Sequence, residues 1–240
     1  MIGGRIMCGR FTLYTEFLKL IERFEVEFFL GEISQSYAPR YNIAPTQRIL
    51  AVTEEGGKRI LRTFRWGLIP FWAKEASMGN SFINARIESV LTKNSFKQSF
   101  VKRRCLILAD GFYEWKREGR RKIPYYFFLP SREPFALAGL WDRWQAPSGE
   151  EIFSCTIITK EAAEEIRPIH DRMPLILPKG EEETWLDPAS HALTPSQLQA
   201  RFASLRTLPL QAHPVSTLVN SPQNESPQCI IPSDSQGSLF

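Results

Sequence analysis

One cysteine near the start of the chain, Cys8, could act through two groups at once. It follows Met7, so a chain that begins at Met7, or one from which Met1–Met7 is removed, would carry a free α-amine beside the Cys8 thiol. An α-amine has a pKa of about 7.7–8.0 and, when neutral, condenses with an aldehyde to an imine. The thiol of the same residue can then close on the imine carbon and give a thiazolidine ring. The competing interpretation is a small buried cysteine on a first strand.

Glu114 is a candidate proton donor, because aromatic residues flank it in the segment Asp110–Trp115. A carboxyl group that aromatic neighbours desolvate keeps its proton to higher pH, which suits general acid catalysis near neutrality. In a strand, however, Tyr113 and Trp115 lie on the face opposite Glu114. A surface glutamate on a strand whose other face is core is therefore the alternative.

Among the three histidines of the chain, His170 is the strongest candidate for acid–base chemistry or anion contact. It lies between two prolines in a polar loop that precedes an apolar run, and Asp171 beside it could orient the ring. A structural histidine with satisfied hydrogen bonds fits this position equally well. His213 has a weaker claim to function, and His191 is expected at the surface.

The segment Lys102–Lys122 carries eight basic and three acidic residues, a net charge of +5 where the whole chain has +4. Phe112, Tyr113 and Trp115 lie among these charges. Lysine and arginine bind phosphates and aromatic rings stack on unpaired bases, so the pattern is typical of a surface for single-stranded nucleic acid. An ordinary solvated hairpin carries such charges too and is the simpler explanation of this segment taken alone.

What the sequence lacks excludes several classes of protein. The chain has 240 residues, 43% apolar and 23% charged, an ordinary globular composition. Its four cysteines show no C-x-x-C spacing and it has no glycine motif for nucleotides, so we expect no metal and no cofactor. Residues 1–10 lack the apolar stretch of a signal peptide, and no run reaches the roughly 20 residues of a membrane span. We expect a cytoplasmic monomer without membrane contact.

The elements that must position these residues are mostly strands. Apolar residues recur with helical period over residues 17–24, with Thr15 as the expected N-cap, and residues 194–197 predict a capping box at the start of a second helix. Residues 47–65 are typical of a β-hairpin. Further strands are predicted over residues 105–108, 125–129, 135–141 and 152–158. These patterns predict an α+β protein, a single domain with a mainly antiparallel β core and peripheral helices.

Seven short motifs occur in the order that marks the SOS response-associated peptidase (SRAP) family. They are MCGRF (7–11), RYNIAP (40–45), WGLIPFW (66–72), NARIE (84–88), DGFYEW (110–115), IHDRMP (169–174) and HPVS (213–216). The sequence resembles this family from Met7 to about Asn220, nearly all of the expected folded chain. The resemblance implies the SRAP fold in a domain that we place at residues 7–225.

The same resemblance implies a sensor of abasic sites in single-stranded DNA, which captures the opened sugar as a thiazolidine crosslink in the DNA damage response. Cys8 would supply the amine and the thiol, and Asn84 would position this terminus. Glu114 would assist proton transfer, and His170 would contact the sugar and shuttle protons. The DNA-binding residues carried over by motif are Arg10, Arg40, Asn42, Phe71, Trp72, Arg86 and Trp115, with Arg10 and Arg86 on phosphates and the aromatic rings against bases.

In one respect the sequence departs from the family pattern. Family members expose the cysteine directly after the initiator Met, whereas residues 1–6 precede Met7 here. Either the start is set too early or these residues are a leader that the protein removes itself, the activity to which the family's peptidase label refers. We favour a start at Met7. A retained leader would abolish the amine and with it thiazolidine formation.

Two other functions fit the same residues. One is a thiol peptidase that acts in trans, with Cys8 as nucleophile and His170 as base. The other is a noncovalent module for single-stranded DNA that binds through Lys102–Lys122. At the far end of the chain, the composition after Ser221 turns to Ser, Pro, Gln and Asn, and we expect residues 226–240 to form a flexible tail.

Overall fold

Two connected β-sheets position these residues. The computed structural model describes residues 8–187 and 193–233, and within these ranges it contains fourteen β-strands and five α-helices. The strands are β1 (Phe11–Leu13), β2 (Phe28–Phe29), β3 (Arg40–Ile43), β4 (Arg48–Glu55), β5 (Lys58–Trp66), β6 (Asn84–Arg86), β7 (Arg104–Ala109), β8 (Gly111–Glu118), β9 (Arg121–Phe128), β10 (Phe135–Gln145), β11 (Glu151–Glu161), β12 (Arg172–Pro174), β13 (Ile176–Leu177) and β14 (Gln211–Pro214). The helices are α1 (Phe17–Arg23), α2 (Gly31–Ser36), α3 (Asn94–Lys102), α4 (Lys179–Leu186) and α5 (Pro195–Ala203).

Five strands close a small barrel. Antiparallel pairings join β5 to β4, β4 to β7, β7 to β10 and β10 to β11, and a parallel pairing of β11 with β5 completes the ring. All six residues of β7 are buried, because α3 and α4 pack against this strand. A strand covered on both faces is continuously apolar, and this explains the short apolar run Cys105–Leu108 in the sequence.

The second sheet has five strands in the order β14–β9–β8–β1–β3. The chain enters it from the barrel through Asp110, which separates β7 from β8. One face of this sheet packs on the barrel, where the ring of Phe11 meets that of Trp66 edge to face with centroids 5.2 Å apart. The other face carries a smaller apolar cluster that includes Tyr113 and Tyr126. Alternation along β8 therefore turns Glu114 toward the barrel side and Tyr113 away from it.

The fold class and most predicted elements are confirmed. The hairpin over residues 47–65 is β4 and β5, and Gly56 and Gly57 at its tip have φ of 61° and 77°, the two positive values of a type I′ turn. The capping box is present at α5, where Gln197 N–H donates to Thr194 Oγ1 at 3.3 Å and Thr194 N–H donates to Gln197 Oε1 at 2.8 Å. The hairpin and the capping box could be predicted because each depends on residues that are close in sequence.

The N-cap predicted at Thr15 is wrong. Helix α1 begins at Phe17 with Glu16 as N-cap, and Glu16 makes no side-chain capping bond. The Thr15 hydroxyl and backbone nitrogen instead donate to the carboxylate of Asp110. A partner 95 residues away in sequence thus outcompetes the local cap.

The boundary predicted for the flexible tail is also corrected. Residues Pro227–Ile230 form a 3-10 turn whose Cys229 is fully buried in the smaller apolar cluster. Ser233 N–H donates to Pro214 O at 2.9 Å, which ties the segment to the end of β14. Packing therefore extends to Ser233, and the rest of the predicted tail, 234–240, lies outside the described residues. Among the helices described, none is long and apolar enough to cross a membrane.

Candidate active site

Cys8 and Glu114 meet beside the pairing of β1 with β8. Phe11 lies opposite Phe112 in this pairing, and the backbone nitrogen of Cys8 donates to Glu114 Oε1 at 2.8 Å. Both residues are buried, with 1% and 2% of their surface exposed. Cys8 has a φ of 35°, in the left-handed region that residues other than glycine avoid. Strain of this kind concentrates at functional sites and is consistent with the reactive role predicted for Cys8.

Burial sets the protonation states of the two side chains. Desolvation raises the pKa of Glu114 to about 8 against the hydrogen bond from the Cys8 nitrogen, and the charge of Asp171 adds to the rise. Desolvation, and after it the charge of Glu114, raises the pKa of the Cys8 thiol well above its usual value. At neutral pH the site therefore holds a protonated carboxyl group and a neutral thiol. The alternative of a surface glutamate is excluded.

Asn84 reaches the same cysteine from the barrel. Its strand, β6, pairs with β11 with Asn84 opposite Ile157, and the Asn84 side-chain amide donates to the Cys8 carbonyl oxygen at 3.5 Å. Arg86 is two residues further along β6 and is exposed, whereas Ala85 between them is buried. Strand alternation therefore places Arg86 on the Asn84 side of β6.

His170 lies in the turn that leads into β12. Its Nδ1 accepts a hydrogen bond from the backbone N–H of Arg172 at 3.1 Å and lies 3.2 Å from Asp171 Oδ1. Nδ1 accepts from the Arg172 nitrogen when it carries no proton and donates to Asp171 when it carries one, so a different partner orients the ring in each protonation state. The charge of Asp171 also contributes to the rise in the pKa of Glu114.

Sequence reasoning missed the ion pair that joins the His170 turn to the Asn84 strand. The guanidinium of Arg172 donates from both terminal nitrogens to the two oxygens of Glu88 at 2.9 Å, and also to Thr159 O. Arg172 is buried, at 8% exposed, whereas the Glu88 side chain is 45% exposed, so the two-pronged contact lies at the protein surface. Glu88 belongs to the motif NARIE and Arg172 to the motif IHDRMP, but neither motif shows that the two side chains pair.

Of the residues predicted to bind DNA, Arg10 and Asn42 are occupied within the protein. Arg10 donates to Asn42 Oδ1 at 2.8 Å and to the carbonyl oxygens of Val219 and Asn220, and desolvation lowers its pKa. Asn42 is fully buried, and its amide donates to the carbonyl oxygens of residues 219, 221 and 224. The role predicted for Asn42 is thus corrected: its side chain holds Arg10 and the segment 217–225 and does not face solvent.

Arg40 and Trp115 hold the same segment. Arg40 forms an ion pair with Glu225 at 2.8 Å, and the backbone nitrogen of Asn42 donates to the same carboxylate at 2.7 Å. Trp115 donates from its indole nitrogen to Asn220 Oδ1 at 2.8 Å. Glu225 and Asn220 had no predicted role, because each contact joins parts of the chain more than 100 residues apart.

Phe71 and Trp72 are the exposed aromatic residues of the predicted set, at 53% and 45% of their surface. The turn that carries them is fixed, because the Phe71 nitrogen donates to Asp142 Oδ2 at 3.0 Å. Exposed rings on a fixed backbone are suited to stacking on bases.

The charged segment Lys102–Lys122 does not form one basic groove. Arg104 is buried and donates to four backbone carbonyl oxygens at the ends of α3 and α4, and desolvation lowers its pKa to about 10. Arg103 pairs with Asp142 at 2.7 Å. Of the basic residues that remain exposed, Lys102 lies at the end of α3, whereas Arg117, Arg120, Arg121 and Lys122 cluster at the tip of the β8–β9 hairpin. The interpretation as a solvated hairpin fits this tip.

The other histidines differ in what can be said of them. His213 is structural: its Nε2 lies 2.9 Å from Ile230 O, and its ring packs against Tyr126 and Phe128. His191 lies outside the described residues. In the described ranges, no three His, Cys, Asp or Glu side chains are grouped as ligands for a metal ion.

The fold and the site together define a class of protein: a β-barrel domain in which the backbone nitrogen of a buried cysteine touches a protonated glutamate. The family model for SOS response associated peptidase (SRAP) matches residues 7–222, and the chain belongs to this family.

Two curated relatives carry the same descriptive name. The abasic site processing protein YoqW of Bacillus subtilis strain 168 is 45% identical over 225 residues, which cover 93% of this chain and 99% of YoqW. The abasic site processing protein HMCES of Gallus gallus is 34% identical over 228 residues, which cover 82% of this chain and 67% of HMCES.

Solved structures share the fold. A crystal structure of a protein from Bacteroides thetaiotaomicron superimposes with a TM-score of 0.84 at 27% identity, covering 94% of this chain and all of that one. A protein from Bordetella bronchiseptica gives a TM-score of 0.71 at 25% identity, with 87% and 100% coverage. The fold of this chain is therefore shared by proteins from both of these bacteria.

Proposed function

We propose that this protein recognises abasic sites in single-stranded DNA and captures them covalently through Cys8, as part of the response to DNA damage. The observation that carries the proposal is the 2.8 Å contact between the Cys8 nitrogen and Glu114, whose pKa is raised to about 8. The relatives named abasic site processing proteins support the choice of substrate.

The chemistry begins once Cys8 is the first residue. Its neutral amine adds to the aldehyde of the ring-opened sugar, and loss of one water gives an imine. The Cys8 thiol then adds across the imine bond, with sulfur bonding to carbon and the thiol proton passing to nitrogen. The product is a thiazolidine that links DNA and protein with no other co-reactant.

Glu114 supplies and recovers the protons in this sequence. Burial raises the pKa of the Glu114 carboxyl group toward the value of about 7.7–8.0 that an α-amine has, so the carboxyl group is suited to exchange a proton with the Cys8 nitrogen. The acid protonates the hydroxyl that leaves as water and later returns to the protonated form. Asn84 holds the Cys8 carbonyl group during these steps, and His170 acts on the hydroxyl of the opened sugar.

Residues that precede Cys8 are removed by the protein's own hydrolysis of the bond between Met7 and Cys8, in which water adds to the Met7 carbonyl carbon, the Cys8 nitrogen leaves with a proton, and a carboxylate remains on Met7. The strained φ of 35° at Cys8 supports this step, because a left-handed non-glycine residue stores roughly 1–3 kcal/mol and cleavage abolishes that dihedral. Glu114 lies at the nitrogen that leaves and can protonate it. A start at Met7 followed by removal of Met7 would give the same amine.

Binding of DNA rests on contacts that do not read sequence. Arg86 beside Asn84 takes a phosphate, and the rings of Phe71 and Trp72 stack on bases, worth about 1–3 kcal/mol per base. Stacking of this kind requires unpaired bases, which favours single strands. We place this activity in the cytoplasm, at the nucleoid, and in a monomer.

The decisive experiment measures adduct formation with an oligonucleotide that carries one abasic site. The parent protein, with Cys8 confirmed as its first residue by intact mass, should form a heat-stable adduct, and the same oligonucleotide without the abasic site should give none. Cys8→Ala and Cys8→Ser should both fail, the serine variant because an oxazolidine is less stable than a thiazolidine. An adduct with Cys8→Ala equal to the parent's would disprove the proposal.

A thiol peptidase acting in trans is disfavoured by the state of the thiol. Such an enzyme needs a thiolate at its first step, whereas burial raises the pKa of the Cys8 thiol and keeps it neutral. Turnover of an unrelated peptide that Cys8→Ala abolishes would reverse this conclusion. Salt-sensitive DNA binding without any adduct would instead favour the noncovalent module.

A further inference from the structure

A groove with a volume of about 680 Å³ separates the Phe71–Trp72 turn from helix α3. The two exposed aromatic rings form one wall. Side chains of α3 form the other, principally Asn94, Lys97, Gln98 and Lys102. No acidic residue lines the groove in the part of the chain that is described.

Helix α3 presents two distinct faces. Phe96, Ser99 and Phe100 are buried and attach the helix to the barrel. The groove residues 94, 97, 98, 101 and 102 follow the i, i+3, i+4, i+7, i+8 spacing of a single helical stripe. Lys97 and Lys102 on this stripe are exposed, and neither forms an ion pair with another described residue. Their charges are therefore available to a ligand.

The two walls are held at a fixed separation. Asp142 accepts from the Phe71 nitrogen at 3.0 Å with one oxygen and from Arg103 at 2.7 Å with the other, and Arg103 directly follows α3. Trp144, two residues along the same strand, donates to Ala73 O at 2.7 Å. A groove that exists before its ligand arrives binds without the cost of ordering its walls.

The groove lies within reach of the cysteine site along β11. Ser154 accepts from the backbone nitrogen of Ile69, just before the aromatic turn, and Ile157 pairs with Asn84. Three residues of strand separate these two points, about 10 Å at 3.3 Å per residue. An extended DNA strand covers this distance with a few nucleotides.

We propose that α3 is a phosphate-binding wall for one flank of the DNA strand, with Lys97 and Lys102 on two consecutive phosphates. Bases of this flank stack on Phe71 and Trp72, and the amides of Asn94 and Gln98 contact base edges. The inference rests on the proposed function and adds residues outside the family motifs. Binding of the DNA strand is then asymmetric, because only the flank on the groove side gains these contacts.

The first test measures the salt dependence of equilibrium binding to a thymidine oligonucleotide without an abasic site. Each phosphate contact to a single strand contributes about 0.7 to the slope of log K against log salt concentration. The slope is negative, so the double variant K97A/K102A should make it less steep by about 1.4. The matched control K58A/K179A removes two exposed lysines elsewhere and should leave the slope at the parent value. Equal slopes for K97A/K102A and the parent would overturn the proposal.

The second test uses abasic oligonucleotides extended by thymidines on the 5′ side or on the 3′ side only. In the parent, both extensions should raise the rate of adduct formation at subsaturating protein. In K97A/K102A the gain from one extension should be lost and the gain from the other kept, and an unextended oligonucleotide should react at the parent rate. Equal loss on both sides would mean a general charge effect and would contradict the assignment. Absence of any adduct with the parent would disprove the proposed function, and the salt slope would still decide the role of the groove.

Discussion

Two buried carboxyl groups lie four residues apart in the same motif, and the structure uses them in opposite ways. Asp110, at the corner between β7 and β8, accepts hydrogen bonds from the backbone nitrogens of Tyr14 and Thr15 and from the Thr15 hydroxyl. Glu114, inside β8, accepts from the Cys8 nitrogen. Desolvation raises the pKa of both carboxyl groups. At Asp110, three hydrogen bonds from Tyr14 and Thr15 oppose this rise. At Glu114, desolvation brings the pKa to about 8.

Burial alone therefore does not make a carboxyl group a proton donor. Donors aimed at a carboxylate stabilise its charged form, so a carboxylate that accepts several of them becomes a structural anchor. A carboxyl group with few donors, beside a nitrogen that changes its own protonation during the reaction, is suited to move protons. The motif DGFYEW therefore contains one anchor and one acid.

The largest expected effect separates the two groups by rate. Glu114→Gln should slow adduct formation about 100-fold or more, because the amide keeps the shape of the acid but has no proton to give at neutral pH. The measurement is single-turnover crosslinking with Cys8 verified as the first residue. A rate within a few-fold of the parent's would show that Glu114 is not the acid.

The next effect separates them by stability. Asp110→Asn should lower the free energy of unfolding by about 2 kcal/mol, because an amide nitrogen then faces donors that had an oxygen acceptor. Urea denaturation measures this loss, and the crosslinking rate per folded molecule should stay near the parent value. If Asp110→Asn slowed the reaction as much as Glu114→Gln while remaining stable, the contrast between anchor and acid would fail.

The smallest effect is the contribution of Glu114 to the pH dependence of stability. Its folded pKa of about 8 lies above the ordinary value of 4.5, so the folded state binds the proton more tightly than the unfolded state. The stability from this group is complete below about pH 4.5 and is lost as the pH rises toward about 8. One proton corresponds to a slope of about 1.4 kcal/mol per pH unit.

Urea denaturation from pH 5 to 8 measures this slope. Cys8→Ala should be present in both proteins compared, and intact mass should show that the segment before position 8 is attached in each. The variant with Glu114→Gln added should have a shallower slope than Cys8→Ala alone. Parallel curves would mean that the carboxyl group ionises at its ordinary pKa.

Local patterns predicted the framework of the fold. The hairpin at Gly56 and Gly57, the capping box at Thr194 and the buried strand around Leu106 depend on neighbours in sequence, and all three are confirmed. The cap predicted at Thr15 failed, because Asp110, far along the chain, offers a stronger partner than the helix does.

The site was predicted as a set of residues but not as a geometry. Motif order grouped Cys8, Asn84 and Glu114, and hydrogen bonds join Cys8 to each of the other two. Contacts such as Arg172 with Glu88, or Asn42 with the segment 217–225, were not predicted. Each joins side chains from distant parts of the chain, and no local spacing encodes which of two polar residues will meet.

The amino-acid sequence alone identified the groups available for chemistry, which are a cysteine near the start, an acid between aromatic residues and a histidine in a rigid loop. It also predicted the strands that hold them. Only the tertiary structure decided that Glu114 is the protonated acid, that Asp110 is an anchor and that Arg104 is buried. A side chain's type is local, whereas its desolvation and its hydrogen-bond donors are supplied by whatever part of the chain folds against it.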